Sequence, residues 1–83
     1  MARVSRKRQT GTVARNTLVE FHVVPNGVRW DVERNDAFTG SFAYEVNTAI
    51  GLAISAAHTE HGEDVDVMVC VQEPSGECRK VWP

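Results

Sequence analysis

This chain of 83 residues has little of what usually carries chemistry or membrane attachment. It contains two cysteines, and no apolar run approaches the ~20 residues that a membrane-spanning helix needs. The basic N-terminus is not followed by the apolar segment of a secretory signal. With 42% hydrophobic and 24% charged residues, the composition predicts an ordinary soluble protein, and we expect it to be cytoplasmic.

The two cysteines, Cys70 and Cys78, are too few for a disulfide framework. Segment 73–77 predicts a turn, and a hairpin centred there sets Cys70 opposite Lys80 or Val81 rather than opposite Cys78. We expect both cysteines to be thiols, because a diagonal cross-strand pair lies roughly 7–8 Å apart, beyond the usual reach of a disulfide. Their separation also lacks the short spacing typical of zinc-binding pairs.

Charge is distributed unevenly along the chain. Residues 1–19 contain five basic and no acidic side chains, whereas the rest contains four basic and eleven acidic ones, for a net charge of −2. We predict a basic, disordered arm over residues 1–16 and a single domain over residues 17–83. The arm is either a solvated tail or a weak, salt-dependent contact for nucleic acid. The candidate contacts are Arg3, Arg6, Lys7, Arg8 and Arg15.

Two alternating apolar runs flank an Asn26-Gly27 turn, which is typical of a β-hairpin. A hairpin centred on that pair puts four apolar side chains on one face, in two cross-strand pairs: Phe21–Val32 and Val23–Trp30. The same register sets His22 opposite Asp31. We interpret these two as a surface pair, since neither a nucleophile nor a pocket accompanies them.

The rest of the chain predicts a helix followed by a second hairpin. Residues 35–43 read as a loop whose Phe38 and Phe42 pack back onto the core. Apolar residues at helical spacing predict a helix over residues 45–61, and alternating valines predict a strand over residues 65–72 that pairs with residues 77–82. The fold class is therefore α+β: a two-layer ββαββ domain whose mainly antiparallel four-stranded sheet has one helix on one face.

No catalytic or cofactor motif stands out, so we predict a protein that is not an enzyme and that has no cofactor, metal or small-molecule ligand. His58 and His61 lie three positions apart rather than four, and they suit the negative end of the helix dipole better than a zinc site. Cys70, in mid-strand, is expected to be an ordinary thiol.

Two apolar surfaces exceed what one helix and one sheet can cover. Leu52 and Ile54 broaden the apolar stripe of the helix, and Met68 and Cys70 predict an apolar island on the other sheet face. Trp82 is either a further contact residue of this island or a satellite core residue. We therefore predict a binding or assembly module that forms a homo-oligomer, with a dimer favoured, through the surplus apolar surface of the helix, the open sheet face or an edge strand. The possible interface residues are His22, Leu52, Ile54, Met68, Cys70 and Trp82.

One series of motifs resembles a small bacterial family known only as a domain of unknown function. The series is His22-Val23-Val24-Pro25, then Trp30, Phe42, Ala49-Ile50, Ala53, a valine-rich strand and Gly76. The resemblance spans residues 19–82 and implies the two-hairpin fold. It departs at Ala43-Tyr44, where the family has an Asp-Thr helix start. It implies no activity, because the family brings no established reaction.

Overall fold

The computed structural model describes residues 17–83. Five strands and one helix follow one another in the order β1 (Thr17–Asn26), β2 (Arg29–Arg34), β3 (Ala37–Ala43), α1 (Val46–Glu60), β4 (Val65–Gln72) and β5 (Cys78–Trp82). The strands form one mixed sheet with the order β3-β2-β1-β4-β5. The basic arm predicted over residues 1–16, with its five cationic side chains, lies outside the described residues.

The architecture is α+β with one helix on one sheet, as predicted, but the strand count was wrong. Three of the four strand pairings are antiparallel, whereas the central strands β1 and β4 pair in parallel. The additional strand is β3, in the segment predicted to be a loop. It arises because Asn35 and Asp36 adopt positive φ values of 50° and 72°, which form a two-residue turn whose backbone matches the twist of the flanking strands.

The core lies between the helix and one face of the sheet. Ala49, Ala53 and Ala57 are fully buried and lie on one side of α1. Their small side chains let the helix backbone approach the sheet closely. They pack against large side chains from three strands: Val19, Phe21, Val23, Val32, Val67, Val69 and Val71. Alternate residues of each strand supply this core, as a half-buried sheet requires.

The first hairpin forms with a register two residues away from the predicted one. Val23 pairs with Val32 rather than with Trp30, because the loop is Gly27-Val28 and Gly27 takes the positive φ of 65°. Glycine at the first loop position is typical of a type II′ turn. A shift of two residues leaves every side chain on its predicted face. Trp30 accordingly still packs against the core, where it is partly buried.

Helix α1 begins and ends within one residue of the predicted bounds. Its N-cap is Glu45, whose side chain makes no capping hydrogen bond. Near its other end, the Arg34 guanidinium donates hydrogen bonds to both carboxylate oxygens of Glu60, at 2.7 and 2.8 Å. These hydrogen bonds, opposed only in part by desolvation, lower the pKa of Glu60 from its ordinary value. Within residues 17–83, α1 falls short of the length and apolarity that a membrane crossing requires.

Candidate functional site

The face of the sheet opposite α1, here called the open face, carries most of the chemically interesting side chains. In β1 these are Glu20 and His22, in β2 Arg29 and Asp31, and in β4 Met68 and Cys70; each alternates with a residue packed towards the helix. No other element of residues 17–83 covers this face. Two groups of residues on it are distinctive, one at the junction of β1, β4 and β5 and one at the edge formed by β2 and β3.

The first group, here called the His–Cys cluster, consists of His22, Cys70 and Cys78. His22 and Cys70 are direct partners in the parallel β1–β4 pairing. One imidazole nitrogen and both sulfurs lie within 4.8 Å of one another. The His22 ring is further held by a 3.0 Å hydrogen bond between its Nε2 and Oε1 of Glu20. The cluster thus places an imidazole, backed by a carboxylate, beside two sulfur atoms.

Cys70 and Cys78 are joined by a disulfide, which makes the prediction of two thiols wrong. The predicted strand register is confirmed, since Cys70 pairs with Lys80 and Gln72 pairs with Cys78. The error lies in the diagonal distance. The pairing shifts between Val69 and Cys70, and the Cα atoms of the two cysteines are only 5.5 Å apart. That separation is ordinary for a disulfide.

The predicted His22–Asp31 pair does not form. The change of hairpin register sets His22 opposite Glu33 and Asp31 opposite Val24. Asp31 is instead buried, with 7% of its surface exposed. Its Oδ2 accepts a 2.8 Å hydrogen bond from the amide of Asn26. Its Oδ1 lies 2.7 Å from Nε of Arg29 in an ion pair that lacks hydrogen-bond alignment.

The second group, here called the aromatic patch, consists of Phe38, Phe42 and Tyr44. Phe38 and Phe42 were predicted to pack onto the core, which is wrong: they are 50% and 38% exposed, and Tyr44 is 68% exposed. Their partners across the β2–β3 pairing are Glu33 and Asp31, which places both phenylalanines on the open face. The rings of Phe42 and Tyr44 meet edge to face, with centroids 5.8 Å apart.

Arg29 connects the buried carboxylate to the aromatic patch. Its guanidinium carbon lies 4.3 Å from the ring centroid of Phe42 and 5.4 Å from that of Phe38. The same guanidinium is paired with Asp31. Because a cation over an aromatic face is attracted by the ring quadrupole, the chain from Asp31 through Arg29 to both rings holds these side chains in one arrangement.

The six predicted interface residues do not form one surface. His22, Met68 and Cys70 lie on the open face, where Cys70 is only 1% exposed. Leu52 is exposed on the helix, and Ile54 is partly buried against the core. Trp82, for which the sequence left both a contact role and a satellite core role open, lies on the helix side and packs against the core, since its partner is the buried Val69.

The side chain of Trp82 contacts both histidines at the C-terminal end of α1. Its ring centroid lies 4.8 Å from that of His58 and 6.4 Å from that of His61. The two imidazoles therefore contact an aromatic side chain at the C-terminal end of α1. Residues 17–83 enclose no detectable cavity.

Glu20, Cys78 and the aromatic patch were not assigned to a candidate site from the sequence. Two signals were available for them. Glu20 lies two positions before His22 in a strand, which puts both on one face. The Asn35-Asp36 pair tolerates positive φ and is followed by apolar residues at 38 and 42, which is compatible with a further strand rather than a loop.

Comparison of the chain with known protein families, with curated proteins and with solved structures finds no match. The resemblance to a small bacterial domain family therefore stays a prediction.

Proposed function

We propose that this chain is a non-enzymatic binding and assembly module that self-associates through its open face, with a homodimer favoured. The observation that carries the proposal is the aromatic patch. Phe38, Phe42 and Tyr44 are adjacent and together expose far more apolar surface than single scattered residues do. Aromatic side chains and arginine are the residue types most enriched in protein interfaces, and the patch combines them.

The arrangement of Arg29 makes this surface suitable for binding. The ion pair with Asp31 and the contacts with two rings restrict the guanidinium before any partner arrives. A contact surface that is already ordered loses less side-chain entropy on association. The patch therefore favours binding more than three freely rotating aromatic side chains would.

A second copy of the chain is the partner that this surface fits best. The aromatic faces of the patch lie beside the cation of Arg29, and the acidic Glu33 is the cross-strand partner of Phe38. Two such surfaces related by a twofold axis can place the cation of one copy against rings or carboxylates of the other. A small domain also has little stability to spare, and a partner that binds only the folded state increases it.

The contact is expected to involve side chains of the open face rather than pairing of edge strands. The β2–β3 register shifts between Asp31 and Glu33. In the same region Thr39 donates a hydrogen bond from its hydroxyl to the carbonyl of Val32, at 2.8 Å. A bulge of this kind bends the edge strand β3 and makes regular pairing of that strand with another chain less favourable. Because a stable interface buries about 800 Å² per partner, neighbouring residues such as His22 and Met68 are expected to contribute.

Sedimentation equilibrium at micromolar concentration tests the proposal. We expect the wild-type chain to dimerise and Phe42→Ala to weaken dimerisation by tenfold or more, the range of a central interface residue. Val28→Thr, at the exposed tip of the first hairpin, is the matched control. Leu52→Ala tests the helix surface separately. A strictly monomeric wild type would disprove the proposal, and sensitivity to Leu52→Ala alone would move the interface to α1.

Nucleic-acid binding by the basic arm is the second candidate function. The observation that favours it is the concentration of five basic side chains before residue 16. The exposed rings of Phe38 and Phe42 would supply the stacking surfaces that the arm lacks. Fluorescence anisotropy with labelled DNA and RNA at low and high salt tests it. Binding that is unchanged when residues 1–15 are deleted would contradict it, and a dimer that survives this deletion would assign self-association to the rest of the chain.

A cytoplasmic location belongs to the same proposal. Disulfides are rare in the cytosol, where thiols are kept reduced, so the Cys70–Cys78 bond would open there. Alkylation of thiols in intact cells before lysis measures this directly. Two modified cysteines would support a reducing location, and a protected pair would point to an oxidising one.

A further inference from the structure

We infer that His22, Cys70 and Cys78 form a redox-controlled binding site for a thiophilic divalent cation, with Zn²⁺ as the best match. Two thiolates and one imidazole are a ligand set that Zn²⁺ favours. The three donor atoms already lie within 4.8 Å of one another. All three ligands come from one chain, so the site does not require the proposed dimer, although His22 is also expected at the edge of the dimer contact.

The fold brings these ligands together without relying on a flexible segment. His22 and Cys70 are direct partners on the two central strands, and Cys78 begins β5 beside them. Ligands sharing one tetrahedral zinc ion lie about 3.5 to 3.8 Å apart, given bond lengths of about 2.0 to 2.3 Å. The two sulfurs, bonded in the disulfide, must therefore move apart on reduction by less than 2 Å or so, which is within the reach of side-chain rotation.

Glu20 supports the assignment of His22 as a ligand. Its Oε1 lies 3.0 Å from Nε2 of His22 on the same strand face. A carboxylate hydrogen-bonded to one imidazole nitrogen fixes the orientation of the ring, as is usual for metal-bound histidine. Glu20 is thus a positioning residue for the site rather than one of its three assigned ligands.

The disulfide determines whether the site can bind a cation. Opening it requires a dithiol reductant, which supplies two electrons and two protons and becomes a disulfide itself, leaving Cys70 and Cys78 as thiols. Cation binding then releases the two thiol protons to water. A disulfide oxidant reverses the change: it takes two electrons from the two cysteine sulfurs and two protons from water and becomes a dithiol, while the Cys70–Cys78 bond forms again and the cation is expelled. Cys78 is exposed whereas Cys70 is buried, so a reductant and a cation can both approach from the Cys78 side.

Titration of the full chain with Co²⁺, a spectroscopic substitute for Zn²⁺, tests the inference. The protein is reduced with a phosphine, which opens disulfides without adding a competing thiol, and is then titrated below the concentration at which it self-associates. We expect a sulfur-to-cobalt charge-transfer absorption that saturates at one ion per chain and disappears when Zn²⁺ is added. The oxidised protein is expected to give no such band.

Matched variants identify the ligands. His22→Gln is expected to weaken Co²⁺ binding by tenfold or more, and Glu20→Gln by about tenfold. His61→Gln, which removes an exposed imidazole outside the cluster, is expected to bind like the wild type. Circular dichroism of each reduced variant verifies that the sheet persists. Absence of the band in folded, reduced protein would overturn the inference, as would equal binding by the oxidised protein or by His22→Gln.

Discussion

Arg34 and Glu60 form a bidentate ion pair that connects the end of β2 with the last turn of α1. This contact shifts the pKa of the Glu60 carboxylate in a definite direction. The hydrogen bonds from Arg34 lower the pKa of Glu60 below its ordinary value of 4.5. The stabilising contribution of this carboxylate is therefore complete above the unfolded-state pKa and is lost as the pH falls through the lower folded-state pKa.

The first prediction concerns this pH dependence. Glu60→Gln should flatten the decline in free energy of unfolding as the pH falls below about 4.5, because the variant has no carboxylate to protonate at that position. The effect should be small, since the pair is solvent-exposed and screened by salt. Urea denaturation at a series of pH values measures it. Glu63→Gln is the control, and an identical pH profile for Glu60→Gln and wild type would contradict the prediction.

The second prediction concerns the Cys70–Cys78 disulfide. Its reduction should lower the free energy of unfolding by about 2–3 kcal/mol, the entropic contribution expected for a short closed loop. Urea denaturation with and without a phosphine reductant measures the difference. Cys78→Ser provides the control, because the reductant should have no further effect on it. A reductant effect of equal size in that variant would mean that the disulfide is not responsible.

The third prediction concerns the start of α1. Glu45 has the extended backbone of an N-cap but makes no side-chain capping hydrogen bond. Glu45→Ser should raise the free energy of unfolding by about 0.5–1 kcal/mol, because serine can accept a hydrogen bond from a free amide of the first turn. Thermal denaturation checks this against Glu63→Ser, which removes a charge outside the helix. An equal gain in both variants would attribute the effect to charge rather than to capping.

The fourth prediction concerns the contact between Arg29 and Phe42. A double-mutant cycle with Arg29→Met and Phe42→Leu should give a coupling free energy of about 0.5–1 kcal/mol. The cycle separates the cation–π contact from the cost of leaving Asp31 unpaired, since that cost is common to both arms. The free energies of unfolding are measured at protein concentrations below those at which the chain self-associates. A coupling energy near zero would show that the rings and the guanidinium are neighbours without mutual stabilisation.

The fold could be predicted where side-chain periodicity alone decides it. The helix bounds follow from apolar spacing, and the buried face of β1 follows from alternation, which survives a register error of two residues. The third strand could not be found in this way. Its residues Phe38 and Phe42 are apolar but exposed, so treating apolar side chains as core led to the wrong interpretation of segment 35–43.

The candidate site depends on distances that periodicity does not encode. Cys70 and Cys78 occupy diagonal positions in the predicted register, yet local irregularity and twist decide whether such a pair is within disulfide reach. Similarly, the adjacency of His22 and Cys70 requires knowing that β1 and β4 are neighbours. Two antiparallel hairpins can be joined in several strand orders, and the sequence does not rank them.

The parallel pairing of β1 with β4 has a consequence for how the chain acquires its structure during synthesis. The first and fourth strands form the centre of the sheet, and Thr17 pairs with Val65. The β1–β2–β3 meander, made entirely of local pairings, can form as soon as it leaves the ribosome. The edge of β1 that faces β4 stays unpaired until residues 65–72 have been translated. Bringing β4 back to β1 closes a long loop, and we expect this step to limit the folding rate. A nascent chain halted before residue 65 would expose an unpaired β1 edge that can pair with other chains and aggregate.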